Sequence, residues 1–244
     1  MKKLFALLFV LGIVPPLLAR PSGPVVSPSL LTSLQVEQHT FAGFLPYCQN
    51  KPKSPVEALV VLLHGRSGSG TDNLAQLTNP AVSSLISYLH QTDKRVYVLL
   101  PQAPQLGGWN AVEEHLAQLV SAKIREYHIP LDKVYISGVS MGGGGVYSLM
   151  AKHPGLFSKA VLVSAGGRVE IVPKIKGRFL LIHGDRDHVI PLIRAEQMAQ
   201  ALEQNKAVQV TLWTLAGRGH IDGAQAAYSV KTWNWLFGGE KGTF

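Results

Sequence analysis

Apolar and polar positions segregate into blocks along this chain. Short runs rich in Val, Leu and Ile fall at 58–63, 95–100, 133–136, 160–163, 179–182 and 208–213. Each has strand length and is apolar at most positions, as expected of a strand covered on both faces. A shorter alternating piece at 40–47 reads as an edge strand. Between the runs, residues 72–89, 111–127, 141–152, 193–203 and 224–235 carry helical patterns. Strands that alternate with helices predict parallel pairing through right-handed crossovers, hence a three-layer α/β/α sandwich on a mostly parallel sheet. In such a sheet, ligands bind beyond the carboxyl ends of the strands.

The N-terminus breaks this pattern. Lys2 and Lys3 precede an apolar run from Leu4 to Val14, then Pro15, Pro16 and a cleavage site after Ala19, which reads as a signal peptide over 1–19. The run is shorter than the ~20 apolar residues that span a bilayer, so stable membrane insertion is not expected. Residues 20–38 mix Pro, Ser and Leu without a period and read as an exposed lead-in, leaving 39–244 as one catalytic domain. Cys48 is the only cysteine, which rules out an intramolecular disulfide. An exported chain without disulfides fits a bacterial periplasm or medium. The formal charge of +8 raises the question of nucleic acid, but the basic residues are scattered and form no stripe with aromatics, so no such partner is expected. The charge fits solubility or attraction to anionic surfaces or substrates.

Candidate chemistry gathers after the strand runs. Behind 133–136 stands Gly138-Val139-Ser140-Met141-Gly142, then Gly143, Gly144, Gly145 and a helix. G-x-S-x-G between strand and helix is the nucleophile-elbow pattern, a tight turn that lifts the Ser hydroxyl above the sheet. A Ser hydroxyl is a weak nucleophile and needs a base, itself oriented by an acid. The run 179–182 leads into His183-Gly184-Asp185-Arg186-Asp187-His188, and the run 208–213 leads into Gly217-Arg218-Gly219-His220. His220, from a loop at the same sheet edge, is the expected base. His188 is a competitor that would have to fold back on its own loop. Asp187, in the D-x-V-x-P stretch where the loop turns toward the site, is the expected acid, with Asp185 left to a loop contact or an ion pair with Arg186. His64 and His183 are expected to hydrogen-bond loop backbone. The Gly-rich stretch His64-Gly65-Arg66-Ser67-Gly68 brings amides to the site, so the N–H groups of Arg66 and Met141 are the expected oxyanion donors. It lacks the Walker Lys-Ser/Thr ending and the spaced Rossmann glycines, which argues against nucleotide binding. Trp109 either lines a substrate pocket or packs at a helix start.

His64-Gly65-Arg66-Ser67-Gly68, the stretch from Pro101-Gln102-Ala103-Pro104 to Gly108-Trp109, the Ser140 pentapeptide, His183-Gly184-Asp185-Arg186-Asp187 and Gly219-His220 together resemble the phospholipase/carboxylesterase family of α/β-hydrolases. The Ser140 region with Lys152-His153-Pro154 is also similar to polyhydroxybutyrate-depolymerase-like and dienelactone-hydrolase-like esterases. Met141 stands where carboxylesterases often carry Gln, and Ser140 where dienelactone hydrolases carry Cys. The resemblance implies an α/β-hydrolase fold without a large lid and a cofactor-free, metal-independent serine esterase. Its substrate would be a small ester of short or medium acyl chain, cleaved through Ser140, His220 and Asp187. A thioesterase, a serine peptidase or a non-catalytic binding protein are the alternatives on the same fold.

Overall fold

The computed structural model describes residues 29–238; the expected signal peptide and residues 20–28 of the expected lead-in lie outside them. Eight strands form one sheet in the order β1-β2-β4-β3-β5-β6-β7-β8. They are β1 (Val36–Phe41), β2 (Leu45–Asn50), β3 (Ala58–Leu63), β4 (Val96–Pro101), β5 (Val134–Val139), β6 (Lys159–Val163), β7 (Gly177–Gly184) and β8 (Val208–Leu215). β3 to β8 run parallel, while β1 and β2 form an antiparallel hairpin joined to β4. The helices are α1 (Ser29–Leu34), α2 (Pro80–His90), α3 (Glu113–Glu126), α4 (Met141–Lys152), α5 (Ile193–Glu203), α6 (His220–Ala227) and α7 (Val230–Phe237).

Side chains alternate across each strand, so a fully apolar strand feeds two cores. Leu59, Val61 and Leu63 of β3 pack with α3, α4 and α5 through Leu116, Val146 and Met198. Val60 and Leu62 pack on the other face with α2, α6 and α7 through Leu85, Ala227 and Trp233. This is the expected α/β/α sandwich. Residues 164–176 join β6 to β7 with one 3-10 turn, Val169–Lys174, where a larger insertion would form a lid.

Four expectations need correction. The piece at 40–47 is a turn between two strands, because Ala42 and Gly43 both take positive φ (52° and 70°), the sign pattern of a tight hairpin turn. Residues 29–38 are not simply exposed, since they form α1 and open β1, with Leu34 and Val36 buried. The span 72–89 is broken, because Pro80 can start a helix but not continue one, and the Asn79 side chain caps α2 by accepting from Ala81 N at 3.1 Å. The stretch 224–235 is two helices divided at Tyr228-Ser229, the first of which begins at His220.

Candidate active site

β5 runs three residues past its expected end because Leu63 of β3 and Val163 of β6 pair with Gly138 and Val139. Ser140 follows at φ 53° and ψ −117°, a conformation that non-Gly residues rarely hold, and its N–H donates to Val163 O at 2.9 Å. The turn closes only because two side chains are missing. A Cβ on Gly138 would lie 2.4 Å from Gly142 O, and one on Gly142 would lie 2.3 Å from Leu63 O. α4 therefore starts directly over the sheet, and Ser140 stands at the N-terminus of its dipole.

His220 Nε2 lies 3.0 Å from Ser140 Oγ, and its Nδ1 lies 2.7 Å from Asp187 Oδ2. The imidazole is the first side chain of α6, not part of a loop as expected. Its approach depends on a crossing. Residues 216–219 leave β8 and pass over β7, where a Cβ on Gly184 would lie 2.2 Å from Arg218 O. Arg186 N donates to that same Arg218 O at 2.9 Å, and Gly217 N donates to Asp185 Oδ1 at 2.6 Å. Asp185 thus has the loop contact expected of it.

Asp187 is buried, and Oδ1 accepts the N–H groups of Val189 and Ile190, each at 2.9 Å. Oδ2 faces both His220 and, at 3.3 Å, His183 Nε2, which also donates to Ile190 O at 2.8 Å. His188 is exposed, and the carboxylate beside it is taken up by His220 and His183.

The loop after β3 packs beside the elbow, since a Cβ on Gly65 would sit 3.6 Å from Ser140 Cβ. Arg66 opens the 3-10 turn Arg66–Gly68, and Met141 opens α4. Amides at such starts have no partner within their own helix. His64 holds this loop. Ala103 N donates to His64 Nε2 at 2.9 Å, which leaves the ring proton on Nδ1, 2.6 Å from Gly65 O. Gln102 assists, donating to Gly68 O and to Asp72 Oδ1 and accepting from Asn73 N. Sequence reasoning had Gln102 only within a motif. What it lacked was knowledge that β4 ends beside this loop.

Burial pushes the pKa of His64 down to about 4, against an opposing hydrogen bond to Gly65 O. The unfolded chain takes up this proton near 6.5 and the folded chain only near 4, so the stabilisation is complete above the first value. Acidification through that window should remove roughly 3 kcal/mol. Urea unfolding at neutral and at acid pH measures it, and His64→Gln should lose that part of the slope.

Trp109 is buried, its ring 4.6 Å from His64 and its Nε1 donating to His64 O at 3.1 Å, yet it also lines a groove of about 1170 Å³ beside the elbow. Its packing role is thus shown, and its edge is open to the groove. Cys48 is buried, with its thiol pushed up to about 12 mainly by burial, which makes it a poor nucleophile.

No protein-family model and no curated protein sequence matches the chain. Solved structures do. A thermostable esterase aligns at a TM-score of 0.72 and 26% identity, covering 83% of this chain, while the chain spans 62% of that esterase. Est1E from Butyrivibrio proteoclasticus aligns at 0.64 and 14% identity, over 83% of this chain and 96% of its own. The acylaminoacyl peptidase of Pyrococcus horikoshii aligns at 0.58 and 14% identity, over 79% of this chain and 39% of its own. With the sheet order and the elbow after β5, these likenesses make the fold that of the α/β-hydrolases.

Proposed function

We propose that the chain is a serine esterase in which Ser140, His220 and Asp187 form the catalytic triad. The observation that carries this reading is the unbroken relay from Asp187 Oδ2 through the His220 ring to Ser140 Oγ, at 2.7 and 3.0 Å. With the Asp187 carboxylate accepting from Nδ1, Nε2 is left without a proton and can take the one from Ser140. The alkoxide then attacks the ester carbonyl. Asp187 stabilises the imidazolium, and the amides of Arg66 and Met141 hold the oxyanion. His220 returns the proton to the leaving alcohol, and water repeats the sequence on the acyl-enzyme. The short connection at 164–176 leaves the groove open, which favours small esters of short to medium acyl chain. The basic and apolar leader at 1–19 favours export before the enzyme acts.

The likeness to acylaminoacyl peptidase supplies a second reading, since the same relay can cleave amides. Labelling with a fluorophosphonate separates enzyme from silent fold: the wild type should be modified and Ser140→Ala should not. Hydrolysis of p-nitrophenyl esters of graded length, set against an aminoacyl p-nitroanilide, then separates esterase from peptidase. A wild type that ignores the probe would overturn the proposal.

A further inference from the structure

The groove beside the elbow is lined in part by six glycines, Gly107, Gly108, Gly144, Gly145, Gly166 and Gly167. Its charged side chains are all of one sign. Among the described residues, Arg66, Arg168 and Arg194 line it, and no Asp or Glu does. All three are exposed, and among the described residues none of them makes an ion pair.

Arg194 lies in the first turn of α5, at the positive end of the helix dipole, where an acidic residue is favoured and where Glu196 also stands. Arg168 follows Gly167 on the β6–β7 connection, which closely approaches α5: a Cβ on Gly166 would lie 3.2 Å from Arg194 Cβ. Three like charges lining one groove repel one another in the empty protein. A local choice that opposes stability marks a place kept for another purpose. A neighbouring cavity of about 1050 Å³ shares Gly167, Arg168 and Arg194 and adds Lys206 and Glu170. The positive field thus extends outward from the groove.

The geometry points to an ester that carries an anion, a carboxylate or a phosphate, on the arm lying along this groove. Arg168 and Arg194 bind that anion while the scissile carbonyl sits at Ser140. Guanidinium groups suit both anions, since their paired N–H donors match two acceptor oxygens. The inference rests on the Ser140 reading and deepens it by naming the substrate class.

The test uses matched ester pairs. p-Nitrophenyl hemiglutarate against p-nitrophenyl pentanoate places the anion on the acyl side. 4-Acetoxybenzoate against its methyl ester places it on the alcohol side, and 4-acetoxyphenyl phosphate replaces carboxylate by phosphate. At low ionic strength, kcat/KM for at least one anionic ester should exceed that of its neutral partner by about tenfold. The ratio should fall toward one in Arg168→Gln/Arg194→Gln, and in the wild type at high salt, which needs no variant at all. It should hold in Arg125→Gln/Lys133→Gln, which removes the same charge near the start of β5, at the end of the strands away from Ser140. A wild type that hydrolyses every neutral ester at least as fast as its anionic partner overturns the inference and leaves the esterase standing. Failure to hydrolyse any ester, with no fluorophosphonate labelling, overturns both.

Discussion

Asp187→Asn should lower kcat by about 10⁴-fold with little change in KM, and Asp185→Asn should not. The amide oxygen can still accept from Val189 and Ile190, so the loop keeps its shape. The amide nitrogen then faces His220 Nδ1 and donates to it. The ring proton moves to Nε2, which now points a donor at Ser140 and cannot accept the hydroxyl proton. Asp185 instead holds the start of the loop after β8, accepting from Gly217 N and donating its own N–H to Leu215 O. Its amide variant keeps an acceptor oxygen there and should retain most activity. Steady-state kinetics on both variants decides which carboxylate orients the base, a choice between two acids only two residues apart.

Gly142→Ala should destabilise the protein by about 3 kcal/mol and abolish activity, while Gly144→Ala in the same turn should stabilise it. The methyl at Gly142 would meet Leu63 O at 2.3 Å and His64 O at 2.7 Å, which are main-chain atoms of a central strand and cannot swing aside. α4 would have to lift, and Ser140 with it. A methyl at Gly144 meets nothing within 4 Å. There the substitution only removes freedom from the unfolded chain, which is worth about 0.5–1 kcal/mol. Thermal unfolding of the pair should give a fall of roughly 10 °C for the first and a rise of a few degrees for the second. Equal shifts of the same sign would mean that the elbow is not packed as described.

The central strands were legible because burial on both faces leaves an apolar run with no competing interpretation. β3 spans the same residues in sequence and structure, 58–63, and β6 starts one residue earlier than its apolar run at 160–163. β5 was read short because its last residues, Ser137-Gly138-Val139, look like a turn. They are held as strand by neighbours far away in sequence. The β1–β2 turn was missed for a local reason: Ala42 takes a left-handed conformation usually left to Gly, Asn or Asp. Asn79-Pro80 did carry a start signal that a longer helical pattern concealed. At the site, Ser140, Asp187 and His220 lie together because their motifs follow the carboxyl ends of the parallel strands β5, β7 and β8. What the sequence could not reveal was support across loops: Gln102 holding the Arg66 loop, Gly184 making room for the approach of His220, and Arg168 and Arg194 brought to one groove.

Among the described residues, β8 is the last strand of the sheet order and has a partner on one side only, and most of its residues are partly exposed. It is also the strand that delivers His220. Edge segments open at lower free energy than the centre of a sheet. Mild heating that peels β8 from β7 would carry the imidazole away while β3 to β6, with Ser140 among them, keep their order. Turnover then ceases below the temperature at which the molecule as a whole melts, and cooling restores it.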